Sequence, residues 1–150
     1  MKKNIAKNQI LEACILKQRD LIENFEKRVK DLKEDAFDDK ESASQSEDRN
    51  VDKVEMLRTF ESELAFARTE MGILKSLDPS NEKKMVEQGA VVVTNKLAFF
   101  IGVSSEKIEV DGEVIYGIST QAPIYSAMGS LEKGDAFTFN ETKYEIENVY

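Results

Sequence analysis

Apolar residues recur at alternating steps of four and three positions in two separate stretches of the first 78 residues. This spacing lets one stripe of a helix face a partner helix in a coiled coil. The first stretch consists of Leu11, Ile15, Gln18, Ile22, Phe25, Val29, Leu32 and Ala36. The second stretch consists of Lys53, Leu57, Phe60, Leu64, Ala67, Met71 and Leu74. The pattern predicts two long helices, and we call their two stripes together the seam.

The two stripes match each other in reverse order along the chain. The predicted facing pairs are Leu11 with Leu74, Ile15 with Met71, Ile22 with Leu64 and Phe25 with Phe60. The position numbers of each pair add up to 85 or 86, and such a constant sum is expected of antiparallel partners. We therefore predict an antiparallel coiled-coil hairpin over residues 1–78, with its turn near Ala43 and a length of roughly 45 Å.

Charge is distributed unevenly along this hairpin. Residues 1–33 contain nine Lys or Arg and five Asp or Glu, whereas residues 34–48 contain seven Asp or Glu and one Lys. The most acidic part of the hairpin thus falls at its predicted turn, and we call residues 38–48 the tip.

The whole-chain composition narrows the function classes. A net charge of −8 argues against direct DNA binding, because phosphate contacts need clustered Lys and Arg. Cys14 is the single cysteine, which is compatible with a reducing compartment. The start of the chain lacks the apolar core of a signal peptide, and no stretch is apolar enough to span a bilayer. We therefore expect a cytoplasmic protein without a membrane partner.

The hydrophobic pattern changes after Leu77. The segment Asp78-Pro79-Ser80-Asn81 favours a turn, so we predict a linker over residues 79–88 and a second domain over residues 89–150. Strand-like runs lie at 90–94, 97–103, 108–110, 114–116, 137–139 and 144–146, with one short helix from Pro123 to Met128. The pattern predicts an α+β chain whose second domain is a small antiparallel sheet covered by one short helix.

The end of the chain resembles a known protein family. The runs QAPIYSAMGSLEKGD, residues 121–135, and FTFNETKYEIENV, residues 137–149, are similar to the closing segment of the Gre-type transcript cleavage factors. The likeness in sequence is specific for residues 88–149, and the architecture is similar over nearly the whole chain. The resemblance implies that the second domain has the FKBP-like fold and that the protein is a divergent bacterial Gre-like transcription elongation factor.

The resemblance also implies a partner and a mechanism. Gre factors bind RNA polymerase and pass their coiled coil down its secondary channel, where tip carboxylates help to hold Mg²⁺ for cleavage of backtracked RNA. The tip acids placed best for this role are Asp39, Glu41, Glu47 and Asp48, with Asp48 the first choice. The protein would then have no cofactor of its own, would touch nascent RNA only indirectly, would not be an enzyme by itself, and would act as a monomer.

The tip departs from the family pattern. Cleavage-competent members have a Gly-Asp followed by a Glu in a Leu-Lys-Glu-Asn setting. The segment Leu32-Lys33-Glu34-Asp35 is similar to the second part of this motif, but it lies about two helical turns before the predicted hairpin turn. One alternative is therefore a Gre-like regulator that occupies the channel without stimulating cleavage. Further alternatives are a prolyl isomerase or chaperone domain and a self-associating coiled-coil adaptor. Prolyl isomerases need an aromatic-walled pocket, whereas the phenylalanines here fit strand alternation.

Overall fold

The computed structural model describes residues 4–38 and 47–150, and it describes side chains for residues 4–35 and 51–150. The helices and strands, in chain order, are α1 (Lys7–Asp38), α2 (Glu47–Ser76), β1 (Val91–Thr94), β2 (Ala98–Gly102), β3 (Lys107–Val110), β4 (Glu113–Ser119), α3 (Pro123–Met128), β5 (Ala136–Phe139) and β6 (Thr142–Val149). Two long helices followed by a small sheet with one short helix confirm the predicted fold class.

The chain forms two compact units. The helical unit, Lys17–Gly72, contains most of α1 and α2. The sheet unit consists of Ile73–Tyr150 together with the first part of the chain, which ends at Leu16. Ile10 and Leu74, near the outer ends of the two helices, are fully buried in the core of the sheet unit.

The segment predicted as a linker, residues 79–88, is partly packed into the sheet unit. Val86 is completely buried, its backbone N–H donates to the carbonyl of Leu131 at 2.8 Å, and its carbonyl accepts from the N–H of Ser130 at 2.8 Å. An isolated bridge pairs Met85 with Glu132. Val86 therefore belongs to the core of the sheet unit.

The six strands form one sheet in the order β3-β4-β2-β1-β6-β5. Four neighbouring pairs are antiparallel, as predicted, but β2 and β4 run parallel, with Phe100 opposite Gly117. The sheet is therefore mixed, which corrects the prediction of a purely antiparallel sheet. A tight turn joins β3 to β4 at Asp111 and Gly112, which have φ of 52° and 77°, and an Asp-Gly pair is typical of such hairpin turns.

The parallel pair arises because the chain crosses over one end of β4 before β3 begins. The backbone N–H of Ser105 donates to the carbonyl of Gly117 at 3.1 Å, and the Ser104 hydroxyl accepts from the N–H of Ser119 at 3.0 Å. A Cβ atom at Gly117 would clash with the carbonyl oxygen of Val103 and the hydroxyl of Ser105. The crossover thus depends on a glycine at this position.

Both faces of the sheet are covered, which explains why β1 and β2 are apolar at consecutive positions. One face, which includes Val91, Val93 and Phe100, packs against Ile10 and Leu74. The opposite face belongs to a second cluster, which includes Val92, Phe99, Ile101, Met128, Phe137, Tyr144 and Ile146. The short helix α3 covers this second face.

The first described residues are fixed to the sheet unit by two long-range hydrogen bonds. The Tyr150 hydroxyl donates to the carbonyl of Ile5 at 2.6 Å, and the ammonium group of Lys7 donates to the carbonyl of Asn81 at 2.7 Å. Burial, together with the nearby charge of Lys83, lowers the pKa of Lys7. These contacts join the start of α1 to the last residue of the chain and to the turn that follows α2.

Candidate functional site

The described side chains do not include those of the four tip acids. Asp39 and Glu41 fall outside the described residues, and Glu47 and Asp48 are the first residues of α2, with side chains outside the described set. Within residues 4–35 and 51–150, no group of three or more His, Cys, Asp or Glu side chains is arranged to hold a metal ion. The magnesium ligands at the tip therefore stay a prediction.

The helical unit has the predicted antiparallel register. The rings of Phe25 and Phe60, one of the four predicted pairs, have centroids 6.2 Å apart and are tilted by 48°. The guanidinium carbon of Arg28 lies 5.5 Å from the centre of the Phe60 ring, within the range of a cation–π interaction. Facing rings at this place align α1 and α2 about midway between the tip and the other end of the unit.

A buried amide adds a polar element to the seam. Gln18 is only 6% exposed, and its Nε2 donates to the carbonyl of Ala67 at 2.9 Å. A longer contact of 3.4 Å joins the same nitrogen to Oε1 of Glu70. The numbers 18 and 67 also add up to 85, so this hydrogen bond agrees with the register of the apolar pairs.

One side of the helical unit is a groove in which opposite charges pair between the helices; we call it the paired flank. Its volume is about 570 Å³, and Val29 and Leu64 are among the residues that line it. The lining residues include two ion pairs between α1 and α2, Lys33 with Glu61 and Glu26 with Arg68, each with N to O distances of 3.6 Å. These pairs are exposed and contribute little to stability individually.

A second groove of the helical unit differs in character; we call it the apolar flank. It has a volume of about 530 Å³ and is lined by Leu21, Phe25, Ser62, Glu63, Phe66, Ala67 and Glu70. Leu21 is 39% exposed and Phe66 is 65% exposed, although both are large apolar side chains. The charged residues among the lining set are the two glutamates.

Glu70 lies where the apolar flank meets the seam. Burial raises the pKa of its carboxyl group, while the hydrogen bond from Gln18 acts in the opposite direction. The carboxylate is thus partly removed from water and gains one amide donor. A cation placed in the apolar flank would stabilise its charged form.

Sequence reasoning did not single out the apolar flank. Leu21 and Phe66 lie one residue before Ile22 and two residues after Leu64, so they fall outside the heptad seam. The available signal was an aromatic residue at a position where a solvated helix normally carries a polar one. By contrast, Glu34, which echoes the family motif, lies beside Val29 and Lys30 in the paired flank.

The aromatic residues of the sheet unit mainly fill its core. Phe99, Phe100 and Phe137 are buried, as expected from strand alternation, and Phe139 packs at the edge of the same cluster as Phe137. The rings of Phe137 and Tyr144 stack with centroids 4.9 Å apart. These rings therefore have packing roles, and they supply no argument for a prolyl isomerase pocket.

The described helices do not include one that is both long and apolar enough to cross a membrane. No protein-family model matches this chain, and the search of curated proteins gave no significant match.

Three solved structures are similar to the chain at low identity. GreA factor homolog 1 (Gfh1) of Thermus thermophilus is 14% identical, with a TM-score of 0.35 over 91% of this chain and 94% of that one. Gfh1 of Thermus aquaticus is 15% identical, with a TM-score of 0.36 over 97% and 94%. A third structure, of the transcription factor Gfh1, is 12% identical, with a TM-score of 0.35 over 100% and 99%. TM-scores of this size carry no argument about function.

Proposed function

We propose that this protein is a cytoplasmic, monomeric Gre-type factor that binds a bacterial RNA polymerase and reaches into its secondary channel with the acidic tip. The observation that carries the proposal is the antiparallel register of the helical unit. Facing contacts of Phe25 with Phe60 and of Gln18 with Ala67 align the helices so that the acidic segment 34–48 connects them. The similarity of residues 121–149 to the closing segment of Gre factors supports the same partner.

The chemistry proposed for the tip follows from its carboxylates. Asp39, Glu41, Glu47 and Asp48 would offer oxygen ligands, which Mg²⁺ prefers. A magnesium ion shared with the polymerase supplies Lewis-acid assistance to phosphodiester hydrolysis. The protein would thereby support cleavage of backtracked RNA by the polymerase, with no enzymatic activity of its own and without binding DNA directly.

A second candidate function is occupation of the channel without cleavage. The observation that favours it is the position of Glu34 and Asp35, the acids within the segment that echoes the family motif. Both lie in α1, about two helical turns before the predicted turn near Ala43, and Glu34 lines the paired flank. A protein without ligands at the required place would still fill the channel and would inhibit or modulate the polymerase.

The test is RNA cleavage in a purified, backtracked elongation complex of the cognate polymerase with Mg²⁺. The tip variant combines Asp39→Asn, Glu41→Gln, Glu47→Gln and Asp48→Asn. The matched control removes the same number of charges from the shaft of α1, with Glu12→Gln, Asp20→Asn, Glu23→Gln and Asp31→Asn. Binding of each protein to the polymerase is measured in parallel, as is thermal unfolding, because acids in the first turn of α2 stabilise that helix by a few tenths to about 1 kcal/mol.

Each result selects one function. Cleavage that the shaft variant keeps and the tip variant loses would establish a cleavage factor with its ligands at the tip. Binding of the unaltered protein without cleavage would establish the channel-occupying regulator. If the unaltered protein does not bind the polymerase, both functions are wrong.

A further inference from the structure

The apolar flank exposes two large hydrophobic side chains in one groove. Phe66 projects from α2 with 65% of its surface exposed, and Leu21 on α1 is 39% exposed in the same groove. Phe25 and Ala67 connect these two side chains to the seam. Contiguous exposed apolar side chains beside a groove are typical of a surface that another molecule covers.

The charges of the apolar flank indicate the chemistry of that molecule. Glu63 and Glu70 are the ionisable side chains that line it, whereas on the paired flank acids and bases neutralise each other between the helices. An apolar groove lined by two carboxylates is complementary to an apolar side chain flanked by Lys or Arg. The partial burial of Glu70 adds to this complementarity, because a cation beside it would offset part of its lost hydration.

We propose that the apolar flank docks on a polypeptide segment of the RNA polymerase that carries an apolar side chain between basic residues. This inference rests on the proposed function, since it names the surface by which the inserted hairpin contacts its partner. A nucleic acid is a poor occupant, because its phosphates would meet Glu63 and Glu70. A second copy of this chain is also disfavoured, because a twofold contact would bring four carboxylates together.

The test measures binding of the full-length protein to the cognate core polymerase. Phe66→Ser removes the exposed aromatic ring, and its matched control, Leu16→Ser, removes another large apolar side chain that is 57% exposed and lines neither groove. Truncation of an aromatic anchor is expected to weaken binding about tenfold. Leu16→Ser is expected to change binding less than about twofold. Thermal unfolding checks that both variants fold.

A second pair of variants tests the charge. Glu63→Lys reverses a charge in the apolar flank, and Glu23→Lys makes the same change at an exposed position of α1 outside both grooves. We expect binding about threefold to fivefold weaker for Glu63→Lys only, in the range of an exposed ion pair. A photoreactive benzophenone analogue of phenylalanine at residue 66 should cross-link to a polymerase segment with Lys or Arg next to an apolar residue.

The outcomes separate this inference from the proposed function. If the unaltered protein binds the polymerase and Phe66→Ser and Glu63→Lys bind equally well, the docking surface is wrong while the function stands. Cross-linking of residue 66 to RNA would also overturn the inference. So would a dimer in sedimentation that Phe66→Ser dissociates, because the occupant would then be a second copy. If the unaltered protein does not bind the polymerase, the proposed function is wrong, and the docking partner named here is wrong with it.

Discussion

The hydrogen bond of Gln18 makes a quantitative test of the helical unit possible. Its Nε2 lies 2.9 Å from the carbonyl oxygen of Ala67, and the 3.4 Å contact with Glu70 is close to the limit of a hydrogen bond. The carbonyl of Ala67 lies inside α2, where it also accepts from the backbone N–H four residues later. Removing the amide therefore does not leave this carbonyl without a donor.

Two substitutions at this position should act in opposite directions. Gln18→Leu loses a net hydrogen bond worth about 1 kcal/mol. The two methyl groups of leucine bury additional apolar surface at about 0.8 kcal/mol each, and no amide has to leave water. We expect the free energy of unfolding to rise by up to about 1 kcal/mol. Gln18→Ala loses the hydrogen bond and buried side-chain volume, so we expect it to fall by about 2 kcal/mol.

The assay is urea unfolding of the full-length protein, followed by far-UV circular dichroism. The order of stability should be Leu, then Gln, then Ala at residue 18. The reasoning is refuted if Gln18→Leu destabilises by more than about 1 kcal/mol, because the amide would then contribute far more than one net hydrogen bond. It is also refuted if Gln18→Ala is as stable as the unaltered protein, because residue 18 would then not be buried in the seam.

Three further predictions concern single contacts. Tyr150→Phe removes the hydroxyl that donates to Ile5, so the free energy of unfolding should fall by about 1 kcal/mol in urea titrations, and an unchanged midpoint would contradict the contact. Gly117→Ala places a Cβ against the carbonyl of Val103, so calorimetry should show a destabilisation of about 2 kcal/mol or more, and an unchanged Tm would contradict the crossover geometry. Burial raises the folded-state pKa of Glu70, so the stability contributed by its protonated form is lost as the pH rises through the unfolded and then the folded pKa. Glu70→Gln should therefore gain stability relative to the unaltered protein as the pH rises above about 4, and a pH-independent difference in urea titrations would contradict the raised pKa.

The hairpin could be predicted from the sequence because its register depends on a repeating local pattern. Steps of four and three place Phe25 and Phe60 on facing stripes, and their rings lie 6.2 Å apart. The same spacing placed Gln18 on the seam, where it is buried. Patterns of this kind need no knowledge of distant parts of the chain.

The parallel pairing of β2 with β4 could not be predicted in this way. Alternation of apolar residues indicates strands, but it does not state which strands are neighbours. The neighbour of β2 is decided by the crossover above Gly117, and a glycine within a strand pattern was the available sign of a close approach.

The packing of the outer helix ends against the sheet could not be predicted for a related reason. Leu11 and Leu74 lie on the seam, at the spacing of residues that face a partner helix, and both are also buried in the cluster that contains sheet residues. A heptad pattern does not distinguish between a helix that packs on one helix and a helix that packs on a helix and a sheet. At the candidate site, Phe66 lies outside the heptad positions, so the heptad pattern does not predict a role for it.

A polar residue in an apolar seam costs stability, and the proposed function gives a reason for that cost. Sliding one helix past the other by a heptad would shift the helices by roughly 10 Å relative to each other. The proposed action of the tip needs carboxylates placed within a metal–ligand distance of about 2 Å, so such a slip would abolish it even if the hairpin stayed folded. In the observed register Gln18 donates to the carbonyl of Ala67, and a polar residue within an apolar seam can specify the register of a coiled coil. Gln18→Leu should therefore yield a more stable protein in which Phe25 and Phe60 show more than one set of ring signals by NMR. A single unchanged set would mean that the apolar pairs define the register without the amide.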